Sequence, residues 1–226
     1  LMAKQMHHAA IVRSMSTREA DHMRGRYYMH TGYVPNPNID HPSYGSVLSH
    51  QLRRKDLAIP QFISVGGGSM GAGFLGAKYN PFVVNGDGRI RNLDMKVDQR
   101  FYQRAYALDA IENAFINQRR GQLAKDHQAI LKETFNVLTS AQMDALKVAS
   151  EPENVKERYG DNSFGKGCLM ARRLVEAGVP FIEVNLGGWD SHQKIFPTLR
   201  DTKLPMLDQG MSALYEDLEQ RGLLQE

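Results

Sequence analysis

The chain has 226 residues, 42% hydrophobic and 23% charged, a balance that suits a globular protein with one sizeable core and room for a smaller subdomain. A net charge of only +3, with Lys and Arg spread along the chain, argues against a nucleic-acid-binding face, and no apolar run is long enough to cross a bilayer. The single cysteine, Cys168, rules out an internal disulfide and a cysteine-built metal cluster.

The chain opens inside an element, Leu1 to His8, and His8 to Met15 then reads as a short buried strand. Ser16-Thr-Arg-Glu19 matches the S-x-x-E capping box, which predicts a helix over Thr17 to His30 that ends at Thr31-Gly32. Tyr33 to Pro42, with its prolines and asparagines, is a loop, and helical spacing returns over Tyr44 to Arg53. Gln61 to Val65 reads as a second strand. Gly66 to Gly76 lacks the spacing of a P-loop or a dinucleotide fingerprint, so it reads as a connector or lid, although its amides could approach an anion.

Ala77 to Asp94 looks irregular. Val97 to Ser150 turns helical, with Phe101, Ala105, Leu108, Ile111 and Phe115 on one stripe and Thr139-Ser-Ala-Gln142 as a further capping box. His127, among polar residues, is expected to face solvent. A helix over Phe164 to Ala177 contains Cys168, a small buried hydrophobe in this setting. It leads past the helix-stop Glu176-Ala-Gly178 into a strand over Val179 to Leu186. Leu207, Met211, Leu214 and Leu218 then mark a final amphipathic helix closed by Gly222. This alternation predicts an α/β fold with a mainly parallel sheet covered on both faces, and 97–150 as a helical insertion against one sheet edge.

The stretch Phe181-Ile-Glu-Val-Asn-Leu-Gly-Gly-Trp-Asp-Ser-His192 carries the most chemistry. Open α/β sheets bind ligands just past the carboxyl ends of their strands, where Asp190 and His192 fall. A carboxylate and an imidazole there suit a divalent metal or an acid–base pair. The plainer alternative makes Asp190 a cap and His192 a solvated loop residue. Trp189 is expected to hold the loop.

Arg13-Ser-Met-Ser-Thr17, Gly73-Phe-Leu-Gly76 with Tyr79-Asn-Pro-Phe82, Arg158-Tyr-Gly160, Cys168 to Gly178, Gly187 to His192 and Asp217-Leu-x-x-Arg-Gly-Leu-Leu224 occur in one order. Together they resemble a family of bacterial proteins known as domain of unknown function 1501, placed among alkaline-phosphatase-like and sulfatase-like folds. The resemblance implies a partial three-layer sandwich with metal ligands on loops after the strands, and a divalent metal (Zn, Mn, Mg or Ca). Asp190 and His192 match such a ligand loop. Family blocks expected before Leu1 and after Glu226 are missing, so the chain reads as an internal fragment, one incomplete domain over 1–226, inactive alone. The compartment is not readable from the residues; export to the periplasm or cell surface is common among the proteins this chain resembles.

The resemblance also suggests where catalysis would sit. Arg18 to Gly32 looks like the helix that follows the nucleophile in sulfatase-like enzymes, but no cysteine stands at its start, so formylglycine chemistry is not implied. Ser16 or Thr17 would serve instead, with capping as the structural alternative for Ser16. His22, about a turn further on, would act as ligand or acid, or simply pack. Arg13 would clamp an oxyanion or form a salt bridge. His7 and His8 form an adjacent pair in the opening segment and are expected to be exposed. The function implied is metal-dependent hydrolysis of a small-molecule or polysaccharide phosphate or sulfate ester. The rival reading is a scaffold without catalysis that binds polysaccharide or a protein partner.

Overall fold

The computed structural model describes residues 1–86, 98–117, 128, 131, 135–136 and 139–224. Three parallel strands form the sheet: β1 (Phe62–Val65) in the middle, β2 (Phe82–Val84) on one side and β3 (Phe181–Val184) on the other. The register pairs Val65 with both Val84 and Val184, so the three carboxyl ends finish level. Helices cover both faces. On one, α1 (His22–Thr31) and α2 (Tyr44–Gln51) lie over the side that carries Phe62, Ser64, Phe181 and Glu183. A Cβ on Gly45 of α2 would come within 2.5 Å of the Phe62 ring and 2.6 Å of the Phe181 ring, so only glycine lets the helix settle there.

Strand side chains alternate, so Ile63, Val65, Ile182 and Val184 point the other way. A longer chain segment meets them. After α3 (Gln99–Asn117) and α4 (Glu153–Tyr159), helix α5 (Ser163–Glu176) crosses this face with Gly167 against Val65 and Val184. The core gathers here: Ile63, Val65 and Val84 from the sheet, Phe164, Cys168, Leu169, Met170 and Leu174 from α5, and Met143, Leu146 and Val148 from short 3-10 turns. A short helix α6 (Ile195–Thr198) and a π turn lead into α7 (Leu204–Gln220), whose Gly210 fits against Phe164 and Cys168 on the outer side of α5.

A buried charged network fastens α4, α5 and α7. Asp217, 1% exposed, accepts hydrogen bonds from the Tyr159 hydroxyl at 2.9 Å and from Arg158 at 2.8 Å. Arg172, 3% exposed, pairs with Glu151 at 2.8 Å and Glu176 at 2.7 Å, and its Nε lies 3.6 Å from Asp217. Burial first, then the Asp217 charge, pushes the Tyr159 phenol well above its usual range. Burial works against the Glu151 charge, yet Arg173 and Arg172 together outweigh it and hold that carboxyl below its ordinary value. Arg158, Tyr159, Arg172, Asp217 and Arg221 all come from the sequence blocks that carried the family resemblance, and in this fold they brace helices.

Several expected elements differ. The strand over His8 to Met15 is absent: a 3-10 helix (Met2–His8) gives way to coil in which Ile11, Val12 and Met15 are each more than 60% exposed. Apolar, β-branched residues favour a strand, but without a neighbouring strand there is no ladder to join. The S-x-x-E box does not form either. Asp21 caps α1 by accepting the Arg24 amide at 3.0 Å, while Glu19 is drawn away into a two-bonded pair with Arg24. The second box shifts by one residue. Ser140 caps the 3-10 turn Ala141–Leu146, and Thr139 bonds back to the Phe135 carbonyl. Strand β2, in the stretch expected to be irregular, and helix α4 were not foreseen. Along α3, Leu108 and Ile111 are exposed; His127 and the side chain of Phe115 lie outside the described residues.

Candidate functional site at the carboxyl ends of the strands

The loop after β3 and the first turn of α1 meet at Asp190. The Nε2 of His192 lies 3.0 Å from Asp190 Oδ1 and 3.1 Å from Oδ2, and the Nε2 of His22 lies 3.1 Å from the same Oδ2. Three residues singled out from the sequence are thus brought together, with both imidazoles on one carboxylate. They are open to solvent: the histidine side chains are each 82% exposed and Asp190 is 54%. Two imidazole nitrogens and a carboxylate oxygen are donor types that zinc takes and that Mg²⁺ or Ca²⁺, which prefer oxygen, would favour less. Here each imidazole stands at hydrogen-bond distance from Asp190, and the three ligand atoms do not all come within 4.8 Å of one another, so zinc would have to draw them closer.

The loop that carries Asp190 is tied down at several points. Gly188 takes a φ of 76°, and Lys203 donates to the Gly187 carbonyl at 2.6 Å. Trp189 holds the loop through a hydrogen bond, its indole N–H donating to the Leu186 carbonyl at 2.7 Å while the ring stays 41% exposed. Lys194, just beyond His192, has a φ of 52°, a left-handed backbone that a side chain with a Cβ adopts at a cost. Asn185 at the strand end donates its amide to the Val65 carbonyl at 2.8 Å, so the loops after β3 and β1 start from one shared edge.

The loop after β1 is the second part of the site. Gly66, Gly67 and Gly68 have φ values of 85°, 100° and 59°, a turn that three residues with side chains would strain to make. Arg26, one turn beyond His22 on α1, lies over it: a Cβ on Gly68 would fall 2.7 Å from the guanidinium. One more turn along, His30 Nδ1 lies 3.8 Å from Glu183 of β3. Glu183 Oε2 accepts the Ser69 hydroxyl at 2.7 Å, and its buried Oε1 has no hydrogen-bond partner among the described residues. His22, Arg26 and His30, at four-residue steps, therefore form one polar stripe through which α1 meets the sheet end, while Met23 and Met29 are exposed. Arg26, His30, Ser69 and Glu183 were not foreseen as site residues. The four-residue spacing on α1 was the available signal.

The remaining candidates stand apart. Ser16 and Thr17 precede the helix start by several residues and are exposed; Thr17 accepts the Glu19 amide at 3.2 Å, and Ser16 makes no hydrogen bond among the described residues. Neither hydroxyl occupies the helix N-terminus that would activate it. Arg13 is exposed coil with no ion pair among the described residues. His7, His8 and Glu219 form another donor group, their ligand atoms all within 4.8 Å of one another, where the Met2–His8 turn rests on α7. Cys168 is fully buried and its thiol is pushed by burial up to about 12, the inert hydrophobe expected. A cleft of about 420 Å³, lined by Arg53, Ile59, Lys78, Tyr79 and Phe82, opens at the amino ends of β1 and β2, opposite to the end that carries Asp190.

These features define an α/β protein with a three-stranded parallel sheet and polar loops at its carboxyl ends. The model of the family described as "Protein of unknown function (DUF1501)" matches residues 1–226, and the chain belongs to that family. No curated protein and no solved structure matches it.

Proposed function

We propose that the chain belongs to a metal-dependent hydrolase of phosphate or sulfate esters, built on an alkaline-phosphatase-like α/β sandwich. The observation that supports this best is the convergence of His22, Asp190 and His192, from two separate elements, at the carboxyl end of a parallel sheet. Bound there, a divalent ion such as zinc would polarise the ester and supply an activated water. The chain's own part is positioning. Asp190 draws both imidazoles together, Trp189 and Lys203 fix the loop, and α1 delivers His22. Because Ser16 and Thr17 stand off the helix start, water is a better candidate nucleophile than either hydroxyl. The open setting suits a bulky or polymeric ester.

The test is turnover of 4-nitrophenyl phosphate and 4-nitrophenyl sulfate by the full-length protein with Zn²⁺, Mn²⁺, Mg²⁺ or Ca²⁺. Asp190→Ala should lower metal uptake and cut turnover by at least roughly 100-fold, since loss of an outer partner of a metal ligand alone costs about 10–100-fold. Equal turnover in the two proteins rejects the reading. Metal uptake that survives Asp190→Ala but not His8→Ala would move the metal to the other donor group. The displaced hydroxyls also support a second reading, a scaffold without catalysis that binds polysaccharide or a protein partner; absence of both metal and turnover in the full-length protein would favour it.

A further inference from the structure

Among the described arginines, Arg13, Arg18, Arg26, Arg53, Arg100 and Arg104 have no carboxylate partner, and all of these except Arg26 are exposed. Arg26 is half-buried. A guanidinium drawn partly out of water without an acid beside it is costly unless an anion arrives to pair with it. Glu183, the acid on the same sheet face, is engaged by Ser69 and makes no ion pair with Arg26. Beneath Arg26 the amides of Gly67 and Gly68 have no acceptor among the described residues, and the space where a Cβ of Gly67 would stand is empty to 4 Å. The Gly66 amide, by contrast, is taken by the Val84 carbonyl at 2.9 Å.

We propose that Arg26 and the free amides of Gly67 and Gly68 form the subsite that holds the tetrahedral oxyanion of the ligand, a phosphate or sulfate group. The planar fork of the guanidinium matches two oxygens of such a group, and backbone N–H groups in a positive-φ turn add short, fixed donors. Since His22 lies one turn before Arg26 on the same helix face, the anion sits beside the His22–Asp190–His192 cluster. This assignment rests on the ester-hydrolase reading for its choice of ligand and replaces Arg13 as the oxyanion clamp.

Binding of inorganic phosphate and of sulfate to chelator-treated full-length protein, followed by calorimetry, tests the subsite without a metal. Wild type should bind both, in competition. Arg26→Ala should weaken binding by about 10–100-fold, the range for a charged hydrogen-bonded pair, and Arg26→Lys by less. Arg53→Ala, which removes an exposed arginine at the opposite end of the sheet, should leave metal-free phosphate binding within about threefold. Circular dichroism confirms that each variant is folded. Wild-type protein that binds neither anion, or an Arg26→Ala variant that binds as well as wild type, overturns the assignment. Arg26-dependent phosphate binding in a protein with no turnover would sink hydrolysis and keep the subsite.

Discussion

Charged residues are used in two opposite ways in this chain. Around Asp217 they are buried and paired, with each carboxylate answered by a guanidinium or a phenol, while Arg172 Nε and Nη2 make ion-pair contacts but no hydrogen bond among the described residues. Around Asp190 they are open to solvent, two imidazoles share one carboxylate, and a guanidinium nearby is left without an acid. The first arrangement has nothing to offer a ligand. The second has donors to spare. Asp217 and Asp190 both lie in sequence blocks that carry the family resemblance, so such a block does not by itself indicate chemistry; burial and pairing separate the brace from the site.

The largest expected effect lies in the brace. Asp217→Ala leaves Arg158, Arg172 and the Tyr159 hydroxyl short of a buried partner and should cost about 3–5 kcal/mol of stability, read from urea unfolding. Asp190→Ala, at an exposed position, should change stability by less than about 0.5 kcal/mol. If the two variants were equally destabilised, the contrast would fail.

Acid should sharpen it next. Glu151 has a depressed value in the folded state, so its stabilising contribution is complete above the ordinary carboxylate range near pH 4.3 and is lost as pH falls through the folded value. Wild type should therefore lose more stability than Glu151→Gln between about pH 5 and pH 3, and parallel acid limbs would count against a role for that pair. The smallest effect concerns Cys168. With its thiol raised to about 12 and enclosed by the core, it should react with a thiol reagent only on unfolding, and Cys168→Ala should leave ester turnover unchanged.

Much of the fold was legible because strand signals and helix stops are local. Gln61 to Val65 and Val179 to Leu186 each contain an observed strand, and Gly32 closes α1 in the left-handed conformation its sequence position suggested. Strand β2 was hidden because its three residues sit between the turn signals Asn80-Pro81 and Asn85-Gly86. The first helix started late because Asp21 competes with Ser16 for the capping role, and spacing alone does not decide between them. Asp190, His192 and His22 were legible from the strand-end rule and the family likeness. Arg26 and Glu183 were not: one reads as an ordinary helix charge, the other as an alternating strand residue. What matters about both is the neighbour that folding supplies, Gly68 for one and Ser69 for the other.

The polar stripe of α1 has a consequence for how that helix is held. Where an apolar stripe would grip the sheet regardless of ionic strength, this one relies on contacts that dissolved ions compete for. If the proposed subsite is occupied, docking of the helix and binding of the oxyanion beneath it would be thermodynamically linked, and a bound phosphate or sulfate under Arg26 would hold the helix down.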